Sequence, residues 1–391
     1  MQPLKIVIIH SFYQLRGGED AAVEQEIELL KQNYSVEIMR FHNQFGWKGA
    51  LQFLCSIWNV SAAIKVRKKI KEFQPDVVHI HNWHFALGPL VFREINRLKI
   101  PVVHTIHNFR LLCPSGFLSH NGKLFTNSLR QSFAWDAVRN KVYRSSARQT
   151  FWLAFVVWFH KKIGTWKKIN LYVCLSSFTV DLFQESNFGV SKEKYTVKPN
   201  FTPETATPQR TEREQHFLYI GRLSEEKGIE SLLKAFSELP FLLKIAGDGP
   251  LKGLVLQAVK EFANISYIGN LTTTEVATEL QKTQALVFPS VWYEGMPMTI
   301  LESLSTNTPV LASNIGAMTL MITNGYDGFH FEPGNVDDLK AVVSRFDALS
   351  ISEKQQMVSN AFDNYKSRYS PALQLDYFET IYNKLLRKKD D

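Results

Sequence analysis

Glu294 and Glu302 follow one strand-like run and are separated by seven residues. Glu294 lies in the loop after the run, and Pro297 predicts the start of a helix that carries Glu302, because proline suits the first helical position. The free backbone N–H groups of Met298 and Thr299 would then form an anion site suited to a diphosphate. We expect Glu302 to accept hydrogen bonds from adjacent ribose hydroxyls and Glu294 to reach a sugar hydroxyl. The alternative is that both are ordinary carboxylates on the flank of a helix.

A guanidinium and an ammonium lie five residues apart in the segment Tyr219-Ile-Gly-Arg-Leu-Ser-Glu-Glu-Lys-Gly228, where a strand ends in glycine. Arginine offers several donors in a fixed plane, and lysine offers a compact point charge. Arg222 and Lys227 together would neutralise a diphosphate and stabilise it as a leaving group. The alternative is a solvated charged turn.

Two pairs of glycines follow predicted strands. Gly17 and Gly18 would let the backbone approach a phosphate or a sugar closely, although an ordinary turn between a strand and a helix explains them equally well. Gly247 and Gly249 imitate a dinucleotide-binding fingerprint, but the spacing is GxGxxxG and Pro250 removes one N–H group. We interpret this second pair as a turn near a bound nucleotide.

Histidines cluster at two predicted strand ends. His104 and His107 occupy opposite faces of one strand, so we expect His104 to be buried. His79, His81 and His84 follow another strand, without a carboxylate or a cysteine at a spacing typical of a metal site. We therefore expect no bound metal.

Short β-branched runs alternate with helix-length amphipathic stretches along the whole chain. The predicted strands are Ile6–Ile9, Val36–Met39, Val77–Ile80, Val102–Ile106, Tyr172–Leu175, Phe217–Ile220, Phe241–Ile245, Ile265–Ile268, Ala285–Phe288 and Val310–Ala312. The predicted helices include Ala21–Gln32, Ile64–Phe73 and Ile229–Ser237. Apolar strands with helical crossovers indicate parallel sheets buried on both faces, so we predict two doubly wound α/β units. Ligands bind beyond the carboxyl ends of such strands, which predicts a cleft between the two units.

The stretch 198–208 carries three prolines and three threonines, a composition typical of a linker. We predict an N-terminal domain at residues 1–199 and a C-terminal domain that binds a nucleotide-linked substrate at residues 200–370. Residues 371–391 are predicted to form a final helix that crosses back to the first domain or packs elsewhere.

Composition excludes several classes of protein. Of 391 residues, 45% are hydrophobic and 21% are charged, which excludes disordered, collagen-like and low-complexity chains. Three scattered cysteines exclude a disulfide framework and favour a reducing compartment, and the first residues do not have the pattern of a signal peptide. Residues 1–200 carry a net charge of +14 and residues 201–391 a net charge of −6, so we expect only the first half to meet an anionic surface, and no nucleic acid to bind.

These constellations together resemble glycosyltransferase family 4, whose GT-B fold consists of two facing Rossmann-like domains. The resemblance covers essentially the whole chain, is specific in the C-terminal half and is looser in the N-terminal half. The matching features are Glu294 with Glu302, the Gly-Arg-Leu and Glu-Lys-Gly turn with Arg222 and Lys227, Lys198-Pro-Asn200, Gly247-Asp-Gly-Pro250, and Gly17-Gly18.

The resemblance implies a role for each matched residue. Arg222 and Lys227 would hold the donor diphosphate, Glu302 the ribose and Glu294, with the adjacent Gly295, the donor sugar. His107 matches a family histidine that approaches the donor sugar near its reacting carbon. Donors in the family are usually UDP- or GDP-linked sugars, and transfer retains the anomeric configuration.

The sequence lacks two features that hold metal ions or disulfides in related enzymes. The chain has no Asp-x-Asp pair, the motif with which other glycosyltransferases hold a metal-bound diphosphate, so no cofactor is expected. The segment Leu111-Leu-Cys-Pro-Ser-Gly-Phe117 resembles an acceptor-side loop of some family members, but the further cysteines typical of that loop do not follow Cys113. A metal or disulfide role for this loop is therefore not expected.

Residues 139–168 combine nine consecutive apolar residues, three of them phenylalanine and two tryptophan, with basic flanks. Nine apolar residues are too few to span a bilayer, which needs about 20. The segment either lies at an anionic membrane surface or forms a buried helix of the N-terminal domain, and the net charge of that half favours the membrane.

We therefore expect a retaining glycosyltransferase that acts in the bacterial cytoplasm in cell-surface polysaccharide synthesis, with the inner face of the cytoplasmic membrane as a further option for its location. The acceptor would be a saccharide or a lipid-linked saccharide, and the resemblance implies that the acceptor-binding domain is the N-terminal one, residues 1–199. The alternatives are a nucleotide-sugar epimerase or hydrolase and a non-catalytic subunit that binds a sugar nucleotide. An NAD-dependent oxidoreductase is disfavoured because the dinucleotide fingerprint is imperfect.

Overall fold

The computed structural model describes residues 3–14, 17–204 and 213–390, with side chains up to residue 387. The part of the predicted linker that falls in 205–212 lies outside the described residues. The chain forms two compact units. The first comprises Met1–Leu118, Phe125–Asn200 and Pro371–Asp391, and the second comprises Ser119–Leu124 and Phe201–Ser370.

The first unit is built on a parallel sheet of six strands in the order β2-β1-β3-β4-β7-β8. Its strands are β1 (Lys5–Phe12), β2 (Ser35–His42), β3 (Val77–Asn82), β4 (Val102–Ile106), β7 (Leu171–Cys174) and β8 (Tyr195–Val197). The short antiparallel hairpin of β5 (Ser119–His120) and β6 (Lys123–Leu124) groups with the second unit. β3, β4 and β7 are buried along their whole length, as expected for central strands covered on both faces.

Helices connect these strands and cover the sheet of the first unit. They are α1 (Gly18–Leu30), α2 (Gly46–Cys55), α3 (Val60–Phe73), α4 (Leu90–Arg97), α5 (Trp135–Arg139), α6 (Ala147–Lys162), α7 (Ser177–Glu185) and the C-terminal α15 (Pro371–Asp390). Among the described residues no single helix is long and apolar enough to cross a membrane. The pair Gly46–Trp58 and Val60–Phe73, bent by 71°, meets that test by length and composition when taken together.

The second unit is a parallel sheet in the order β11-β10-β9-β12-β13-β14. Its elements are β9 (His216–Ile220), α8 (Ile229–Ser237), β10 (Leu242–Ala246), α9 (Lys252–Glu261), β11 (Ile265–Gly269), α10 (Thr273–Lys282), β12 (Ala285–Phe288), α11 (Met298–Ser305), β13 (Val310–Ser313), α12 (Met318–Met321), β14 (Gly328–Phe331), α13 (Val336–Asp347) and α14 (Ile351–Arg368). Its core of aliphatic and aromatic side chains comes from all six strands of this sheet and from α8, α9, α13 and α14.

The prediction of two doubly wound parallel-sheet units is confirmed, and each of the ten predicted strands is present. β8 and β14 were not predicted. β8 has three residues, and β14 reads Gly-Phe-His-Phe, without the β-branched residues that indicate a strand. The glycine is required because a Cβ on Gly328 would lie 1.9 Å from the carbonyl oxygen of Val310 on the neighbouring strand.

Candidate functional site

The loop and helix after β12 carry both predicted glutamates. α11 begins at Met298, one residue after Pro297, and no side chain caps it. The first N–H groups of a helix have no intrahelical acceptor, so those of Met298 and Thr299 are available to an anion. Glu302 lies one turn further along, partly buried. Burial raises the pKa of its carboxyl group, and no hydrogen bond or ion pair reaches that carboxylate from the described residues.

The structure pairs the carboxylate of Glu294 with the ammonium of Lys227. Oε1 of Glu294 accepts hydrogen bonds from Lys227 Nζ at 2.5 Å, Trp292 Nε1 at 2.6 Å and Ser290 Oγ at 2.7 Å. The Lys227 ammonium also lies 5.2 Å from the centre of the Trp292 ring, within the range of a cation–π contact. Three donors on one buried carboxylate fix its position. Ser290 and Trp292 are functional candidates that the sequence did not reveal, because serine and tryptophan in a loop carry no specific signal.

Arg222 lies in the turn after β9, and its side chain is exposed. Its carbonyl oxygen accepts a hydrogen bond from Tyr219 Oη at 2.8 Å, which fixes the backbone of the turn. No ion pair involves its guanidinium within the described part of the chain. The structure therefore joins Lys227 to Glu294 and leaves Arg222 available to a ligand.

Gly247 and Gly249 allow the turn after β10 to approach the turn after β9. A Cβ on Gly247, whose φ is +130°, would lie 1.8 Å from the carbonyl oxygen of Gly221. A Cβ on Gly249 would lie 2.4 Å from the carbonyl oxygen of Leu223. Both glycines are thus needed for packing, whether or not they also contact a ligand. Gly295, by contrast, follows Glu294 in the loop and is partly buried.

In the first unit, His107 lies directly after β4 and contacts a second histidine. Its Nε2 is 3.0 Å from Nδ1 of His81 on β3. Burial lowers the pKa of both histidines, most strongly that of His107, and therefore favours neutral rings at pH 7. His104, which faces the other way, is buried with Nδ1 2.8 Å from the carbonyl oxygen of Ile80.

A buried ion pair lies behind the histidines. Oε2 of Glu26 on α1 accepts a hydrogen bond from Lys198 Nζ at 3.0 Å, and Oε1 is 3.2 Å from His81 Nε2 and 3.6 Å from His79 Nδ1. Burial alone would raise the pKa of Glu26, but Lys198 and the histidines outweigh that effect and hold it well below its usual range. Lys198 has no exposed surface, and Gln374 on α15 accepts from it at 3.4 Å.

These contacts favour one tautomer for each ring. A proton on His81 Nε2 would satisfy both that atom and Glu26 Oε1, since neither has another hydrogen-bond partner. The Nδ1 of a neutral His81 is then an acceptor, and His107 must donate from Nε2. His107 Nδ1 would be left as an acceptor for a hydroxyl group.

Glu26, His79 and His81 are also the residues whose ligand atoms lie close enough together, within 4.8 Å, to hold a metal ion. The set of donors fits poorly, because the Lys198 ammonium already supplies a positive charge 3.0 Å from the carboxylate. His84 is not part of this group. The arrangement agrees better with a charge-compensated support for His107 than with a metal centre.

Gly17 and Gly18 are exposed at the N-terminus of α1. The backbone N–H of Gly17 donates to Asp20 Oδ2 at 3.2 Å, and Asp20 Oδ1 is 2.8 Å from His10 Nε2. Next to them, Glu19 Oε2 accepts from Asn108 Nδ2 at 3.2 Å, which ties the start of α1 to the residue after His107. No pattern in the sequence predicts this contact, because Glu19 and Asn108 are 89 residues apart.

Known proteins match both units. The family described as Glycosyltransferase Family 4 matches residues 45–204, and the family described as Glycosyl transferases group 1 matches residues 202–363. The chain belongs to the family 4 type of glycosyltransferases. The resemblance inferred from the sequence is therefore confirmed.

Two curated relatives and one solved structure illustrate this likeness. The glycogen synthase of Mycobacterium tuberculosis is 26% identical over 298 residues, which are 73% of this chain and 63% of that protein. The O-antigen chain mannosyltransferase RfbU of Salmonella typhimurium is 24% identical and covers 77% of each chain. The structure of Anabaena Alr3699/HepE in complex with UDP and glucose has a TM-score of 0.67 at 15% identity, covering 97% of this chain and 100% of that chain. This likeness confirms the GT-B fold.

The chain spans slightly less than two thirds of the length of the first curated relatives it matches.

Proposed function

We propose that the protein is a retaining glycosyltransferase that transfers a sugar from a UDP- or GDP-linked donor to a saccharide or lipid-linked saccharide in bacterial cell-surface polysaccharide synthesis. The observation that carries the proposal is the partly buried Glu302 carboxylate, which lacks a partner in the described chain and lies on a helix whose N-terminus is uncapped. A desolvated carboxylate without a partner costs free energy unless a ligand supplies donors. The mannosyltransferase and the UDP complex among similar proteins support a role with a sugar nucleotide.

Each part of the sugar-nucleotide donor has a matching group in the second unit. Glu302 accepts from the two ribose hydroxyls. The N–H groups of Met298 and Thr299 bind the diphosphate together with the side chains of Arg222 and Lys227. Glu294 accepts from a hydroxyl of the donor sugar through Oε2, because Oε1 is already occupied by three donors. These groups neutralise the diphosphate without a metal ion.

In the proposed reaction, negative charge develops on the diphosphate as it leaves. The bond between the anomeric carbon and the diphosphate oxygen breaks, and the acceptor hydroxyl oxygen bonds to the same face of that carbon. The departing phosphate takes the acceptor proton. Lys227 and Arg222 stabilise the negative charge of the leaving group, which is the main electrostatic contribution. His107, neutral because burial lowers its pKa, accepts a hydrogen bond from the donor sugar and positions it.

The competing functions differ in what they would produce. A nucleotide-sugar epimerase or hydrolase would change the donor without an acceptor, and a binding subunit would leave it intact. Neither needs the strongly basic first half of the chain, with its net charge of +14 in residues 1–200. Product analysis with and without added acceptor separates the three.

Peripheral contact with an anionic membrane is part of the proposal. α6, in the segment 139–168, buries Leu153, Ala154 and Val156, so much of its apolar surface serves the fold. The neighbouring α2 buries none of its residues, and Trp47 and Leu51 are 73% and 54% exposed. An exposed tryptophan beside lysines suits the headgroup region of a bilayer. The contact therefore extends from residues 139–168 to α2.

A thermal-shift panel tests the donor site directly. The purified protein is heated with UDP, GDP, ADP, TDP or CMP in the presence of EDTA. Selective stabilisation by UDP or GDP is expected, since a ligand that binds only the folded state raises the melting temperature. Stabilisation that appears only when Mg²⁺ replaces EDTA would contradict the metal-independent site. No shift with any nucleotide would favour a function without a nucleotide donor.

A further inference from the structure

A cavity of about 50 Å³ lies in the first unit, between the loop after β4, residues 128–134 and α6. A volume of about 10–15 Å³ on this measure holds one water molecule, so the cavity has room for a group of several heavy atoms. Arg110 and Lys161 line it, and no aspartate or glutamate does. The cavity is therefore electropositive.

Arg110 is the unusual member of this lining. Its side chain is only 8% exposed, and its Nε and Nη1 atoms are inaccessible to solvent. Neither of these two atoms has a hydrogen-bond partner. No carboxylate lies within ion-pair distance of its guanidinium in the described part of the chain. A buried guanidinium is always charged, so burying it without an anion is costly. Ser128 adds a second unpaired donor to the same cavity, since its Oγ is buried without a partner.

The other walls of the cavity are apolar. Leu112, Phe133, Val157 and Trp158 line it beside the two cations. A lone inorganic anion would gain nothing from contact with these apolar side chains. An anionic group carried on an apolar chain would use both the cations and the walls.

Arg110 also borders the candidate catalytic histidine. A smaller cavity on its other side is lined by Arg110, His84 and His107. His84 has both ring nitrogens buried without partners, and burial followed by the charge of Arg110 lowers its pKa. An anion held by Arg110 would thus lie next to the pocket that contains His107.

We propose that the cavity at Arg110, Ser128 and Lys161 binds the phosphate of an acceptor that is attached to an apolar chain. The inference rests on the proposed glycosyltransferase function and assigns part of its acceptor site. The same phosphate chemistry is present in the nucleotide donor, so the test must separate the two sources.

Isothermal titration of farnesyl diphosphate, farnesol, inorganic phosphate and UDP into the wild-type protein and the Arg110→Gln variant makes this separation. We expect the wild type to bind farnesyl diphosphate more tightly than farnesol or phosphate. Arg110→Gln should weaken farnesyl diphosphate binding at least tenfold, since charge-assisted hydrogen bonds are lost, and leave UDP binding unchanged. Ser128→Ala should weaken it to a smaller extent.

Arg148→Gln, which changes an exposed arginine on α6, is the matched control and should bind all four ligands as the wild type does. Arg110→Gln should melt at the same temperature as the wild type or higher, because it removes a buried charge that no carboxylate of the described residues neutralises. Equal binding of farnesyl diphosphate by the wild type and Arg110→Gln would overturn the proposal, as would no binding by the wild type. Parallel loss of UDP binding would assign Arg110 to the donor instead. UDP binding that persists while farnesyl diphosphate binding is absent would leave the proposed donor site intact.

Discussion

Replacing Glu302 by alanine should weaken nucleotide binding while leaving the folded protein as stable as before or more stable. In the free protein the carboxylate is partly buried, its pKa is raised by burial, and it has no partner among the described residues. A carboxyl group whose pKa is higher in the folded than in the unfolded state favours folding below its unfolded pKa. It loses that advantage as the pH rises through the folded pKa. At pH 7 the ionised group therefore opposes folding, and its removal relieves that cost.

In the complex with a nucleotide, the ionised Glu302 carboxylate is favourable, whereas in the free protein it opposes folding. A hydrogen bond to a charged group contributes about 1.5–3 kcal/mol, and the ribose offers two hydroxyls to one carboxylate. Because water partly replaces the lost acceptor in the variant, we expect a net loss of about 2–3 kcal/mol, or roughly 30- to 150-fold in the dissociation constant. Glu302→Gln should fall between the wild type and alanine, since its amide retains one neutral acceptor.

Isothermal titration of UDP or GDP, whichever the wild type binds, measures the loss, and urea unfolding at pH 7 measures the stability. Glu261→Ala, at an exposed position near the end of α9, is the matched control and should change neither quantity. Wild-type affinity in Glu302→Ala would refute the assignment of the ribose site. A large loss of stability in the same variant would show that the carboxylate has a structural partner.

Four further predictions concern other parts of the two units. Lys227→Met should lower the free energy of unfolding by about 3 kcal/mol in urea titrations, because it leaves the buried Glu294 carboxylate without its cation, and adding Glu294→Gln should restore part of the loss. His107→Ala should lower kcat by a factor of ten or more without changing the nucleotide dissociation constant, and an equal effect on both would contradict its role at the sugar. Glu26, whose pKa lies well below the model-peptide value of 4.5, stabilises the fold above pH 4.5 and stops doing so as the pH falls through its folded pKa. Unfolding free energies measured from pH 6 to pH 3 should therefore depend less on pH in Glu26→Gln. Leu51→Glu on α2 should reduce flotation with anionic vesicles several-fold while nucleotide binding stays unchanged, and unaltered flotation would exclude α2 as a membrane contact.

The parallel-sheet architecture could be predicted because the buried strands are short, nearly continuous apolar runs, as in the Ile-Val-Ile-Ile stretch of Lys5–Phe12 and the Val-Leu-Ala stretch of Val310–Ser313. The helix boundaries were less certain. α1 was predicted from Ala21 but begins at Gly18, since its first turn carries glutamate and aspartate rather than apolar residues. The exposed face of α2 was also not foreseen, because an apolar helix composition gives no information about which face is covered.

Site residues close together in sequence were easier to recognise than contacts between distant elements. Glu294 and Glu302 stand in one motif, and their placement follows from a single loop and helix. The contact between Glu26 and Lys198 joins residues 172 apart. Glu26 belongs to no recognised motif, and the motif Lys198-Pro-Asn200 does not indicate a partner for its lysine. A buried lysine is rare, so the position of Lys198 depends on the tertiary structure that surrounds it.

The helix α15 makes the first unit dependent on a segment that is synthesised after the whole of the second unit. Phe378 and Tyr382 on this helix are buried, and Tyr382 Oη lies 3.0 Å from His79 Nδ1. During translation, the sheet of the first unit emerges from the ribosome long before this helix does. The surface of the first unit at Glu26 and His79, which α15 covers in the complete fold, therefore stays exposed while the second unit is synthesised. The second unit, which lacks α15, has all of its own strands at that stage and can fold first.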